Sequence, residues 1–426
     1  MSVRGLAALA ILLLPVACAP LTPHPLAAAP ASATAAAKAP VTILVSIDGF
    51  RPDYLDRGVT PNLGKLAAQG VTASMRPSFP SKTFPNHWAI VTGDRPDRSG
   101  IVANKMEDAA RPGETFTMES DDPFWWNGVE PIWVTAERAG IRTATMFWPG
   151  SNVAWGGMRD QKWPHAIAGG TRPSDWAQFN QAIGGEQRVN QVIDVLRRPS
   201  DIRPRFVTLY FDIVDTMGHS KGPDAPETTA AVTEVDALIG KLTAGLSTLD
   251  QPANLVILSD HGMEQTSSER TIALDGFVRA SDYRLIESGP YASMTALPGR
   301  EKALERALLR PHPHMHCWRK DQIPARFHYG AHPRVPPYLC LAETGWTIAA
   351  TKPTSASVGG NHGYDNQAPE MAALFIASGP AFNRTFRPPE GFPNVNIYAL
   401  LARLIGVAPQ PNDGDPAVLD GLLARP

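Results

Sequence analysis

The chain has 426 residues and a formal net charge of −2, long enough for one large core and too evenly charged for electrostatic recognition of nucleic acid or an anionic bilayer. Its 41 prolines and 35 glycines imply many long loops between elements. No internal repeat is visible.

The chain opens on a targeting segment. Arg4 gives a positive start, and Leu6 to Val16 is apolar but too short to span a bilayer. The run ends at Leu14-Pro15-Val16-Ala17-Cys18, a cysteine after small residues, which resembles a lipoprotein cleavage box. Pro15 departs from the leucine preferred there. Residues 1–18 are read as a signal peptide with a lipid anchor on Cys18. The alternative is ordinary cleavage near Ala17 or Ala19, or within the alanine-rich run up to Ala39. Residues 19–39 are Ala/Pro-rich and read as a disordered tether. A folded domain is expected over 40–426, exported to a periplasmic space and free or membrane-anchored there. No later stretch suits a membrane span. In an oxidising compartment Cys317 and Cys340 are expected to pair.

Val41 to Ile47 is a continuous β-branched and apolar run, the pattern of a strand buried on both faces, and it ends in Asp48-Gly49. Pro61 to Gln69 reads as a helix stopped by Gly70. Asn86 to Thr92 reads as a short helix closed by Gly93, with Pro85 in its first turn. Gly100 to Lys105 reads as a turn and short strand. A helix over Pro131 to Ala139 precedes a second strand, Ile141 to Phe147. Residues 152–180 are loop-like and rich in Trp. An amphipathic helix spans Glu186 to Arg198. The strand Arg205 to Phe211 leads into a loop over Asp212 to His219, then a long helix from about Glu227 to Leu246. The strand Asn254 to Ser259 ends in Asp260-His261-Gly262. A strand over Met371 to Ser378 and a helix over Val395 to Ile405 close the chain.

Strands alternating with helices predict an α/β fold with a mostly parallel sheet covered on both faces. Sites in such sheets form beyond the carboxyl ends of the strands. Three strands here end in acid: Asp48, the Asp212/Asp215 segment, and Asp260. One such Asp is ordinarily a cap or turn residue. Three, two of them accompanied by a histidine, suggest metal chemistry. Asp215 and His219 lie four apart, Asp260 and His261 are adjacent, and His362 sits in a glycine-rich turn. Asp and His ligands suit zinc better than magnesium or calcium. His87 and the run His312/His314/His316 are read as structural or solvated. The stretch Ser78 to His87 places Thr83 at a helix N-terminus, which favours bound anions. A threonine needs a base or a metal to become a nucleophile.

These motifs carry a resemblance. Ser46 to Arg51, Phe79 to His87, Gly100 to Met106, Phe147 to Ser151, Asp215 to His219, Ser259 to Met263 and Asn361 to Tyr364 resemble, in order, the marks of the nucleotide pyrophosphatase/phosphodiesterase family of the alkaline phosphatase superfamily. The match covers most of 41–410. It implies an alkaline-phosphatase-like fold with an inserted smaller subdomain at about 263–359. It also implies a stand-alone catalytic domain without the somatomedin-like and nuclease-like domains of animal members. Two zinc ions are implied, one on Asp215, His219 and His362, the other on Asp48, Asp260, His261 and the Thr83 oxygen. Asn104 and the Thr83 backbone N–H would bind a phosphoryl oxygen. The implied reaction is hydrolysis of nucleotide phosphodiesters and pyrophosphates through a phospho-Thr83 intermediate, releasing a nucleoside 5′-monophosphate. Bound zinc lowers the pKa of an oxygen nucleophile, and a metal pair suits in-line displacement. Phe84, where the superfamily's monoesterases carry Arg, favours diesters. Phe179 matches the family's second base-stacking aromatic, so Phe84 and Phe179 are expected to sandwich a base. The alternatives are a phospholipid-type diesterase acting on choline or glycerol headgroups and, from another class, a non-catalytic surface lipoprotein.

Overall fold

The computed structural model describes residues 38–424. The signal peptide, Cys18 and nearly all of the 19–39 segment lie outside the described residues. At its end, Gln251 Nε2 donates to Ala39 O at 2.9 Å.

An eight-stranded sheet organises the chain. Its order is Phe392–Pro393, Val71–Arg76, Ala373–Ser378, Ala253–Leu258, Val41–Ile47, Phe206–Phe211, Thr143–Met146, Asp175–Trp176. Every neighbouring pair is parallel except those made by Ala373–Ser378, which runs against both of its partners. The central strand Val41–Ile47 is buried at all seven positions, as its unbroken apolar run requires. Its residues alternate between two cores. Ile43, Val45 and Ile47 pack under the helices Gly185–Leu196 and Pro226–Thr248. Leu44 faces the helices Thr83–Thr92 and Asn396–Ile405. Ser46 shares Leu44's parity, and its hydroxyl meets His87 of the Thr83–Thr92 helix at 2.8 Å.

Three local expectations change. Asp212 to His219 is not a loop: Ile213–Lys221 is a helix. Gly218 masks it in the sequence, but there the glycine lets Met263 pack closely, since a Cβ would lie 2.9 Å from Met263 Cε. Gly100 to Lys105 forms no strand; pairing begins at Met106–Glu107, which meets Thr115–Phe116. The 152–180 stretch holds a ribbon, Met158–Arg159 with Ile167–Ala168, and the edge strand Asp175–Trp176.

The 263–359 region has its own four-stranded antiparallel sheet, ordered Tyr283–Glu287, Tyr291–Ala296, Tyr338–Ala342, Met315–Arg319, over a third apolar core. Cys317 and Cys340 face each other across its last pair and form a disulfide. Closing a loop between residues 23 apart is worth about 3 kcal/mol on the chain-entropy account.

Candidate active site

The three acidic strand ends lie on one edge because their strands are parallel neighbours: Val41–Ile47 pairs with Phe206–Phe211 on one side and Ala253–Leu258 on the other. Asp48 follows its strand directly, and Asp260 follows its own after Ser259. Asp215 lies in the first turn of the Ile213–Lys221 helix, so His219 stands above it at i+4. Gly49 has φ 68°, and a Cβ there would lie 3.1 Å from Asp215. Glycine therefore permits both the turn after Asp48 and the approach of Asp215.

The imidazoles show what they are prepared for. His219 Nδ1 lies 2.9 Å from Gly360 O, His261 Nδ1 2.9 Å from Gly262 O, and His362 Nδ1 2.8 Å from Ser81 O. A carbonyl only accepts, so each Nδ1 carries a proton, and Nε2 is the nitrogen each ring turns to the site. Those Nε2 atoms converge. His362 Nε2 is 3.0 Å from His219 Nε2 and 3.6 Å from Asp215 Oδ1. His219 Nε2 is 3.5 Å from Asp215 Oδ2. His261 Nε2 is 2.8 Å from Asp260 Oδ2 and 3.6 Å from Asp48 Oδ1. Backbone-oriented imidazoles of this kind are the usual setting of metal-ligating histidines.

The carboxylates fit a cation as well. Asp48 Oδ1, Asp215 Oδ1 and Asp260 Oδ2 are buried and accept no hydrogen bond. Burial, then the Asp260 and Asp215 carboxylates, push Asp48 well above the ordinary carboxylate range. Burial also opposes charge on Asp260 and His261, but their mutual attraction outweighs it: Asp260 is held low and His261 high. Burial, then His261 and Lys82, hold His362 well below the imidazole range. Two lone pairs 3.0 Å apart at a histidine that resists protonation, beside three crowded carboxylates, are satisfied by positive ions. Among the described residues, Asp48, Asp260 and His261 form one metal-competent cluster, and Asp215, His261 and His362 another, so His261 is shared between the two halves.

Thr83 is the first residue of the Thr83–Thr92 helix, and its Oγ1 lies 3.4 Å from His261 Nε2. Asn104 is drawn in by its side-chain oxygen, which accepts from Phe84 N at 2.9 Å. Phe84 is buried and touches Phe179 edge to face, ring centres 5.5 Å apart. The expected sandwich is therefore not an open slot here. Phe179 remains half-buried and also packs on Phe147 and Tyr210.

Tyr210 and Lys82 at the site escaped the sequence analysis, and His87, expected to be structural or solvated, is structural. Tyr210 donates to Asp48 Oδ2 at 2.6 Å; nothing in its strand marked it. His87 is buried, with Nδ1 donating to Thr83 O at 2.8 Å and lying 3.4 Å from Asp260 Oδ2. Both its nitrogens are occupied, so it supports the site and does not ligate. Lys82 is buried, with Nζ 3.5 Å from Asn361 Oδ1. Burial lowers its pKa, while Glu287 of the insertion and Asp215 favour its charge. His312 bonds to the Ala307 and Leu308 carbonyls, and His314 to Glu343, away from the site.

Fold and donor set together define the class: a hydrolase of the alkaline-phosphatase type, metal-dependent by its clustered Asp and His. A family model described as Type I phosphodiesterase / nucleotide pyrophosphatase matches residues 42–365. The chain belongs to that family and is a phosphoric diester hydrolase. It is 36% identical over 391 residues to bis(5′-adenosyl)-triphosphatase enpp4 of Xenopus laevis, covering 91% of this chain and 82% of the relative. To ectonucleotide pyrophosphatase/phosphodiesterase family member 1 of Mus musculus it is 35% identical over 407 residues, 91% of this chain and 43% of the relative. It thus spans less than half of that relative. Among solved structures, human ectonucleotide pyrophosphatase / phosphodiesterase 5 aligns with TM-score 0.83 at 32% identity, covering 90% of this chain and 100% of the other. The murine protein, in an inactive form in complex with AMP, gives 0.82 at 33%, covering 91% and 100%.

Proposed function

We propose that the chain hydrolyses nucleotide phosphodiester and pyrophosphate bonds by way of a covalent phospho-Thr83 intermediate and releases a nucleoside 5′-monophosphate. The observation that carries this is the convergence of three imidazole lone pairs and three unpartnered carboxylate oxygens beside one threonine hydroxyl. Asp215, His219 and His362 would hold one zinc ion, and Asp48, Asp260 and His261 the other, beside the Thr83 oxygen. Zinc in these positions lowers the pKa of oxygen nucleophiles and neutralises charge on the phosphoryl group.

The chain's own residues do the rest. The helix N-terminus aims Thr83 N–H, which donates to no protein group among the described residues, at the phosphoryl oxygens. Asn104, held through its oxygen by Phe84 N–H, turns its amide donors to the same anion. The Thr83 oxygen attacks phosphorus, the bridging P–O bond breaks, and the leaving group takes the electron pair. Water then cleaves the phosphothreonine ester. Phe84 replaces a cation beside the nucleophile with an apolar ring, which suits a phosphate bearing a second organic group. Phe179 offers a face to the base, a contact worth about 1–3 kcal/mol and indifferent to base identity.

The test is a panel of an aryl nucleotide ester, ATP, a dinucleotide, a phosphocholine lipid and an aryl monophosphate, with metal counted on the same preparation. Nucleotide esters should lead, zinc should number two per chain, and chelation should abolish turnover. Full activity in metal-free protein rejects the metal assignment. Preference for the choline lipid replaces the nucleotide reading.

A further inference from the structure

We propose that Asn86 and His87 are positioning residues of the reaction: each grips the backbone carbonyl four residues before it, and so aims the two peptide N–H groups at Thr83 and Phe84. The inference rests on the phospho-Thr83 reading above and deepens it. Both side chains are fully buried in the first turns of the Thr83–Thr92 helix. Asn86 Nδ2 donates to Lys82 O at 2.9 Å, and His87 Nδ1 donates to Thr83 O at 2.8 Å. Lys82 O already accepts from Asn86 N at 3.1 Å, so the first turn closes without the side chain. What the second donor fixes is the peptide plane. The C=O and N–H of a trans peptide point opposite ways in one plane. Gripping Lys82 O therefore turns Thr83 N–H outward, and that N–H has no protein acceptor among the described residues. Gripping Thr83 O turns Phe84 N–H away from His87, and it donates to Asn104 Oδ1 at 2.9 Å. One plane serves the phosphoryl oxygen directly, and the next serves it through Asn104.

Each grip is itself anchored. Asn86 uses its whole amide: Oδ1 accepts from Ser78 N at 2.7 Å and Asn394 Nδ2 at 2.8 Å, and Nδ2 also donates to Pro80 O at 3.0 Å. The segment leading into Thr83 is thereby wound round one side chain. His87 Nε2 meets Ser46 Oγ at 2.8 Å on the central strand, two residues before Asp48. Donors aimed before the substrate arrives cost no reorganisation as charge develops on the phosphoryl oxygens. Misaiming them therefore shows in kcat more than in KM.

The test uses the full chain and the p-nitrophenyl ester of thymidine 5′-monophosphate, with bound metal and thermal melt measured on every variant. Asn86→Ala removes one grip. His87→Phe removes the other, made together with Ser46→Ala so that no buried hydroxyl is left without its partner. His87→Asn keeps a side-chain N–H near the place of Nδ1. Asn86→Ala and the His87→Phe double variant should each lower kcat roughly ten- to a hundredfold, with KM within about twofold and bound metal unchanged. His87→Asn should recover most of that loss. Wild-type kcat in either folded variant, loss confined to KM, loss of metal in step with kcat, or His87→Asn no better than His87→Phe overturns the inference. If one large change fails to fold, the other decides; if neither folds, the two residues only hold the fold together and the inference falls. A Thr83→Ala enzyme with wild-type turnover removes the phospho-Thr83 reading itself, whatever the Asn86 and His87 variants do.

Discussion

Each site imidazole is aimed by a backbone carbonyl, and Thr83 is held by its neighbours in the same way. His87 accounts for part of this. It joins the Thr83 carbonyl to Ser46 of the central strand and sits beside Asp260, so one buried ring ties Thr83, the strand and Asp260 together. In the proposed mechanism Thr83 contributes one oxygen to the reaction. Thr83→Ala should therefore lower kcat on a nucleotide ester by about a thousandfold or more while the thermal melt stays within a few degrees of wild type. Thr83→Ser keeps the oxygen and should keep measurable turnover. Alanine activity above a few per cent of wild type would show that another group attacks.

The Thr83–Thr92 helix is an apolar element with a polar tip. It is buried along its whole length, opens without a side-chain cap, carries Pro85 among the N–H groups that lack intrahelical partners, and ends at Gly93 with φ 75°. At this end Phe84 N–H is taken by the Asn104 oxygen, and Thr83 N–H has no protein acceptor among the described residues. Just past its far end lies Asp94, whose carboxylate is 3.0 Å from Arg98 Nε. Burial raises Asp94 to about 7, with Asp413 adding to burial and Arg98 opposing it. The folded-state pKa is thus above the unfolded one. Between about pH 4 and 7 the folded chain binds the extra proton, so stability falls as pH rises through that window. Asp94→Asn removes the titration. Its melting temperature should match wild type near pH 5, exceed it near pH 8, and vary less between them. A wild-type slope preserved in the variant would place the proton elsewhere.

At the scale of the molecule, the 263–359 region has its own sheet, core and disulfide, and its Glu287 carries a charge that interacts with Lys82 beside the site. Among the described residues no helix is long and apolar enough to cross a membrane. The apolar run ending at Cys18 is the feature that would hold the enzyme at a membrane. We propose that Cys18 is lipidated in the exporting host and that the chain partitions with membranes. Mass spectrometry of the mature N-terminus checks this; an unmodified terminus beyond residue 18 rejects it.

The amino-acid sequence alone determined the class of fold and which acidic groups gather at one edge of the sheet. Alternating apolar runs require a covered parallel sheet, and parallel strands necessarily bring Asp48, Asp215 and Asp260 to one edge, because each follows a strand of the same direction. Only the tertiary structure decided the rest. The helix carrying Asp215 and His219 takes Gly218 where Met263 packs on it, a contact between segments 45 residues apart that no local propensity encodes. Tyr210 and His87 became site residues by the register of Phe206–Phe211 and Thr83–Thr92 against the central strand. Phe84 and Phe179 meet edge to face because burial of Phe84 among Phe116 and Trp126 fixes its ring plane. Composition and spacing set which groups are present at a strand end; the lone pair each one offers depends on a hydrogen bond to a carbonyl from elsewhere in the chain, and only the folded backbone supplies that.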